Sequence, residues 1–145
     1  MTKPENRTKS RRSAREAAFQ AAYQCFVGGI EIDKAVHEAL TRGNYSQEAA
    51  ELVRALATGA VTKPEETELR FAKFLRGDWS IDRLAVTDRL LLRLAVFEMY
   101  ERPETPKKVV IAESVRLAKK YGTAESGPFV NGVLAKVFED CPKED

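Results

Sequence analysis

The sequence predicts an all-α protein of about seven helices. Along most of the 145 residues, apolar side chains recur at intervals of three and four, the spacing of one helix face. No segment shows the sustained alternation of apolar and polar residues that is typical of a half-buried strand. Each helical stretch is bounded by glycine, proline or a side chain that can cap a helix.

The first predicted helix starts at Ser13, because residues 13–16 have the form of a capping box, or one turn earlier near Ser10. Gly28-Gly29 ends it. Asp33 is expected to cap a short second helix over residues 34–42.

Ser46 is predicted to open the third helix, and Pro64 the fourth, since proline suits the first turn of a helix. Thr87 is expected to cap the fifth helix, which stops before Pro103. Its apolar residues cover nearly the whole circumference, which predicts burial in the middle of a bundle.

The sixth helix is predicted to begin at Thr105-Pro106 and to end at Gly122, and the seventh to span residues 129–138. The break at Pro64 divides the chain. The predicted parts are a flexible basic arm over residues 1–10, two helical subdomains over 11–62 and 63–141, and a tail over 142–145.

Charge is concentrated at the N-terminus. Residues 1–16 carry six basic and two acidic side chains, whereas the remaining 129 residues sum to −2 within a total of +2. Stacked arginines at a helix start are locally unfavourable unless an anion compensates them. This asymmetry indicates either an anionic partner or a disordered arm that only keeps the chain soluble.

Groups suited to catalysis or metal binding are scarce. His37, the one histidine, is predicted to be an ordinary surface side chain. Cys25 is expected to be a small buried thiol and Cys141 to lie in the frayed tail, so the two form no disulfide framework. Without a phosphate loop or a carboxylate cluster at metal spacing, we expect no enzyme activity, no metal and no cofactor. No stretch reaches the ~20 apolar residues of a membrane span, so a cytoplasmic setting is expected.

Three stretches carry a shared pattern. The first is RRSAREAAFQAAYQ at residues 11–24, and the second combines WSIDRL, DR and LRLAVFEM between residues 79 and 99. The third combines PKKVVIAE, AKKYG and SGPFVNGVL between residues 106 and 134. In order and spacing they resemble the NusB family of bacterial transcription antitermination factors, with residues 30–75 as the weakest part.

The resemblance implies a fold of two packed helical bundles and no catalysis. It implies binding of single-stranded boxA RNA in nascent transcripts, as a heterodimer with NusE, a small-subunit ribosomal protein. Other Nus factors and RNA polymerase are implied as indirect partners, in an assembly that suppresses premature termination, notably in ribosomal RNA operons. Monomers and homodimers both occur in such proteins, so a homodimer stays open as an alternative.

The resemblance also implies site residues. The implied RNA-binding residues are Lys9, Arg11, Arg12, Arg15, Tyr23, Lys108, Glu125 and Phe129. Asp88 is the implied contact to NusE. Ala112 stands where the family usually has Asn, and Gly127-Pro128 lacks the Lys or His that often precedes the phenylalanine, so fewer phosphate contacts are expected there. Asn131 and Gly132 are interpreted as structural, with Gly132 allowing close helix packing.

Two other functions are weighed against RNA binding. A protein-only helical module would use the basic arm on an acidic protein surface. A domain fused ahead of an RNA cytosine methyltransferase is disfavoured, since the sequence holds no Rossmann segment and no catalytic cysteine motif.

Overall fold

The computed structural model describes residues 10–77 and 80–142, over which the chain forms seven α-helices and no strand. The all-α prediction is therefore confirmed. The helices are α1 (Arg11–Gly28), α2 (Ile32–Thr41), α3 (Gln47–Thr62), α4 (Pro64–Ala72), α5 (Val86–Glu101), α6 (Lys107–Tyr121) and α7 (Ser126–Asp140), with a short 3-10 helix at Ile81–Arg83. Most of the predicted basic arm and the end of the predicted tail lie outside the described residues.

The chain divides into two compact units, Met1–Thr62 and Lys63–Asp145. In the first unit α1 packs against both α2 and α3. In the second, α5 packs against α4, α6 and α7. Pro64 occupies the first turn of α4, as predicted from its fixed φ and missing N–H.

Alanine dominates the core of the first unit. Five alanines of α1 are buried around Phe19, and the short side chains let neighbouring helices approach closely. They are Ala14, Ala17, Ala18, Ala21 and Ala22. Leu52, Val53 and Leu56 of α3 fill the space against them.

The core of the second unit is built on α5. Residues 90–96 are all buried, and Phe97 is half-buried. A helix that is apolar around most of its circumference must be covered on every side. The predicted burial of this helix is therefore confirmed.

Several helix starts differ from the predictions. The Ser10 side chain caps α1, accepting a hydrogen bond from the Ser13 N–H over 3.3 Å, so the earlier of the two predicted starts is correct. The caps predicted at Asp33 and Thr87 are wrong, because both residues lie inside the first turn of their helices. A cap contributes only about 1 kcal/mol, so packing of the helix can move its start past a good capping residue.

The start of α3 agrees with the prediction, whereas the starts of α6 and α7 differ from it by up to one turn. Ser46 caps α3, with its Oγ accepting from the Ala49 N–H over 3.0 Å. Pro106 precedes α6 rather than occupying its first helical position. The seventh helix starts at Ser126, not at Phe129, so Pro128 lies in its first turn, where no backbone N–H is needed.

Glycine ends α1 as predicted. Gly29 has φ 70° and ψ 15°, the left-handed conformation that favours glycine, and its N–H returns to the carbonyl of Cys25.

Candidate nucleic-acid interface

The three arginines at the start of α1 have different environments. Arg12 is exposed, whereas Arg15 keeps only 8% of its surface accessible. Arg11 is exposed but pairs with Glu48 of α3, its Nε lying 2.9 Å from the carboxylate Oε1. Arg11 and Arg12 are therefore more accessible to a ligand than Arg15. Lys9 lies outside the described residues.

Tyr23 lies two turns along α1 and is 39% exposed. Its ring centroid lies 6.1 Å from that of Phe19, at an interplanar angle of 50°. Because the buried Phe19 supports one side, the tyrosine ring keeps an accessible surface with limited freedom. Phe26 and Val27 are also exposed on the last turns of α1, which leaves an apolar patch there.

A groove of about 470 Å³ in the second unit brings together three of the predicted site residues. Asp88, at the start of α5, lines it with Glu125 and Phe129 from the start of α7. The Oδ1 atom of Asp88 is buried and accepts no hydrogen bond from the described residues. The residue expected to contact NusE thus shares a concave surface with two residues expected to contact RNA.

The turn before α7 sets the positions of Glu125 and Phe129. The Thr123 N–H donates to Ser126 Oγ over 3.0 Å, and the Glu125 N–H donates to Thr123 Oγ1 over 3.3 Å. A β-carbon on Gly122 would lie 2.3 Å from Ser126 Oγ, so only glycine fits this close approach. Gly122 is also the residue that caps the end of α6, so the predicted end of that helix is confirmed.

Lys108 lies in the first turn of α6 and is exposed, next to Val109, which is 44% exposed. It is not among the residues that line the groove. Within the second unit the structure therefore presents Lys108 separately from Glu125 and Phe129.

Arg76 and Arg83 also line the groove, and the sequence reasoning assigned them no role. Arg83 belongs to the WSIDRL motif, one of the motifs that resemble the family. That motif could have indicated Arg83 as a functional residue. Trp79 of the same motif lies outside the described residues. Two guanidinium groups beside Asp88 and Glu125 give the groove both signs of charge.

A buried ionic cluster, which no local sequence pattern predicts, holds this region in place. Glu68 of α4 accepts hydrogen bonds from Arg89 Nε over 2.8 Å and from Arg93 Nε over 2.6 Å. Arg89 also reaches Asp82 in the 3-10 helix, over 3.4 Å. Since Arg89 follows Asp88 and Asp82 precedes Arg83, the cluster fixes the backbone that carries two groove residues.

The cluster shifts the acidity of its members. Burial alone raises the pKa of Glu68, but the hydrogen bonds from Arg89 and Arg93 outweigh it, so the pKa lies below its ordinary value. The hydrogen bond to Glu68 raises the pKa of Arg89. Both groups are therefore charged at neutral pH.

The cysteines differ from expectation. Cys141 is 5% exposed and follows the last residue of α7, so its assignment to a frayed tail is wrong. Cys25, predicted to be buried, is half-buried.

Within the described residues, no three His, Cys, Asp or Glu side chains are grouped to hold a metal ion. In that same part of the chain, no helix is long and apolar enough to cross a membrane.

The family model named NusB family matches residues 12–139 of the chain. The chain belongs to the NusB family. The antitermination protein NusB of Symbiobacterium thermophilum is 42% identical over 137 residues, with 89% of each chain covered. The antitermination protein NusB of Anaeromyxobacter dehalogenans is 43% identical over 139 residues, covering 93% of this chain and 94% of its own length.

Solved NusB structures share the fold. The structure of T. maritima NusB superposes with a TM-score of 0.84 at 32% identity, over 94% of this chain and 96% of its own. A chain from the crystal structure of antitermination factors NusB and NusE in complex with double-stranded RNA gives a TM-score of 0.80 at 31% identity. That match covers 90% of this chain and 96% of the other.

Proposed function

We propose that this chain is an RNA-binding transcription antitermination factor. It binds boxA RNA of nascent transcripts together with NusE and helps to suppress premature termination by RNA polymerase. It acts in the cytoplasm, as an adaptor without catalytic activity, and other Nus factors join the same assembly. Membership of the NusB family and the NusB–NusE–RNA complex among similar structures both support this function.

The observation that carries the proposal is the groove that Asp88 shares with Glu125 and Phe129. An unstacked base can lie on the face of an aromatic ring, and such stacking contributes about 1–3 kcal/mol per base. Asp88 lines the same groove, and a carboxylate is suited to accept hydrogen bonds from a protein partner. Adjacent contacts for RNA and for a protein partner favour binding of both together over binding of either alone.

Arginine supplies the sequence-independent part of binding. Arg12 is exposed at the start of α1 and is suited to a phosphate. Each phosphate contact to a single strand steepens the dependence of log affinity on log salt by about 0.7. RNA binding by this chain is therefore expected to weaken steeply with salt.

The proposal is tested by titrating a fluorescently labelled boxA RNA and a scrambled RNA, each with and without NusE. Preferential binding of boxA RNA that NusE strengthens is the expected result. Equal, weak binding of both RNAs that is indifferent to NusE would overturn it and favour a protein-only helical module. Asp88→Asn separates the two surfaces, because it is expected to reduce the effect of NusE while leaving RNA binding by the chain alone unchanged.

A further inference from the structure

The side chain of Lys119, near the end of α6, lies across Gly127 in the first turn of α7. A β-carbon placed on Gly127 would lie 3.1 Å from Lys119 Cγ, 3.3 Å from Cε and 3.8 Å from Cδ. The aliphatic stem therefore follows the surface of the glycine over most of its length. This contact exists because residue 127 has no side chain.

The backbone at Gly127 does not itself require glycine. Among the described residues, the positive φ angles are at Gly29 and Gly77 alone, and Gly127 lies within a regular helix. Alanine would raise the helix propensity of this position. The space that glycine leaves for Lys119 is thus the feature of Gly127 that the fold uses.

Lys119 is exposed, and no acidic group within residues 10–77 and 80–142 pairs with its ammonium. Packing of the stem, rather than an ion pair, determines where the charge is presented. Gly127 is two residues from both Glu125 and Phe129, which line the groove, whereas Gly127 and Lys119 themselves lie beside it. Since Gly127 and Pro128 carry no charge, Lys119 brings a cation to a turn that otherwise has none.

We propose that Lys119 is a further RNA-binding residue, whose ammonium neutralises a phosphate of the strand bound at Phe129, and that Gly127 positions it. This inference rests on the proposed function. Lysine binds phosphate as a point charge on a flexible stem, so fixing the stem reduces the freedom lost on binding. A neighbouring helix thereby replaces the phosphate contact that the Gly127-Pro128 sequence lacks.

The test measures binding of labelled single-stranded boxA RNA to Lys119→Gln, with Lys120→Gln as the control of equal charge change. Loss of one phosphate contact is expected to weaken binding about fivefold at 0.1 M salt and to reduce the salt slope by about 0.7. Lys120, whose Nζ lies 5.5 Å from the Tyr121 ring centroid, is also exposed. We expect its substitution to stay within about twofold of the wild type.

Gly127→Ala and Gly127→Val test the positioning without changing charge. Both substitutions are expected to weaken RNA binding, and valine is expected to weaken it more than alanine because its side chain is larger. When Lys119 is already replaced by Gln, neither substitution is expected to weaken RNA binding further. Gly132→Ala and Gly132→Val are matched controls in the same helix, since a β-carbon at Gly132 meets nothing within 4 Å. They are expected to leave RNA affinity unchanged, and thermal unfolding of every variant checks that it is folded.

Two results would overturn the inference while leaving the proposed function intact. One is wild-type boxA affinity in folded Lys119→Gln. The other is a Gly127→Val defect of equal size with and without Lys119, which would show that residue 127 acts independently of the lysine. If the wild-type chain binds no RNA with or without NusE, the proposed function fails, and this inference fails with it.

Discussion

Arg93 donates a hydrogen bond from Nε to Glu68 Oε2 over 2.6 Å, inside the core of the second unit. The side chains are 5% and 12% exposed, and 25 residues separate them in sequence. Arg89 binds the same carboxylate and also reaches Asp82. The pair joins α4 to α5, and its loss would remove a carboxylate that is hydrogen-bonded to a buried guanidinium group.

Glu68→Ala is expected to destabilise the protein by about 3–5 kcal/mol, because it removes the carboxylate that is hydrogen-bonded to the buried Arg93 guanidinium. Urea unfolding followed by circular dichroism measures the change. Glu66→Ala is the control, since its pair with Arg70 is exposed and spans 3.8 Å. Such a surface pair contributes at most about 1 kcal/mol, so similar losses from both variants would contradict the assignment.

The same carboxylate predicts a pH dependence of stability. The pKa of Glu68 lies below its ordinary value of 4.5 in the folded state. Its stabilising contribution is therefore complete above 4.5 and is lost as the pH falls through the lower, folded pKa. The difference in unfolding free energy between wild type and Glu68→Gln is expected to shrink over that acidic range. A difference that stays constant to pH 3 would show that Glu68 is not the responsible group.

Arg12 and Arg15 are expected to respond differently to alanine. The family resemblance implies RNA contacts from both side chains, so either substitution is expected to weaken RNA binding. Because Arg15 is only 8% exposed, Arg15→Ala is now expected to cost about 1–3 kcal/mol of stability as well. Arg12→Ala is expected to stay within about 0.5 kcal/mol while RNA binding weakens. Thermal unfolding and RNA titration of both variants separate the two effects.

Gly132→Ala is expected to stabilise the protein by about 1 kcal/mol. Gly132 is exposed in the interior of α7, and nothing lies within 4 Å of the place where a β-carbon would stand. The interpretation of Gly132 as a close-packing residue is therefore wrong, and the helix-propensity gain is unopposed. A lower melting temperature of this variant would show that the position is restricted after all.

Cys141 is expected to react with iodoacetamide more slowly than Cys25 in the native protein. Burial raises the pKa of the Cys141 thiol, which a hydrogen bond with Tyr100 only partly offsets, so less of the reactive thiolate is present at pH 8. Cys25 is half-buried. Mass spectrometry of Cys25→Ser and Cys141→Ser assigns the rates, and both thiols are expected to react alike in urea. Equal native rates would contradict the buried position of Cys141.

Sequence by itself determined the class of the fold and most of the positions at which helices begin and end. The seven helices, the end of α1 at Gly28-Gly29 and the burial of α5 all follow from residues within four positions of one another. Backbone hydrogen bonds and helix faces involve residues at that short separation. Their pattern can therefore be recognised in the amino-acid sequence. The three motifs that resemble the NusB family indicated a function in addition to the fold.

Only the tertiary structure decided which members of a local pattern are available to a ligand. Arg11 meets Glu48, 37 residues away, and Arg15 is buried while Arg12 is not, although the three belong to one basic motif. The groove joins Asp88 to Glu125, and the Lys119 stem meets Gly127 across a turn. Such contacts depend on how helices pack, and packing couples residues far apart in sequence. Periodicity identifies the face of a helix but not the neighbour that covers it.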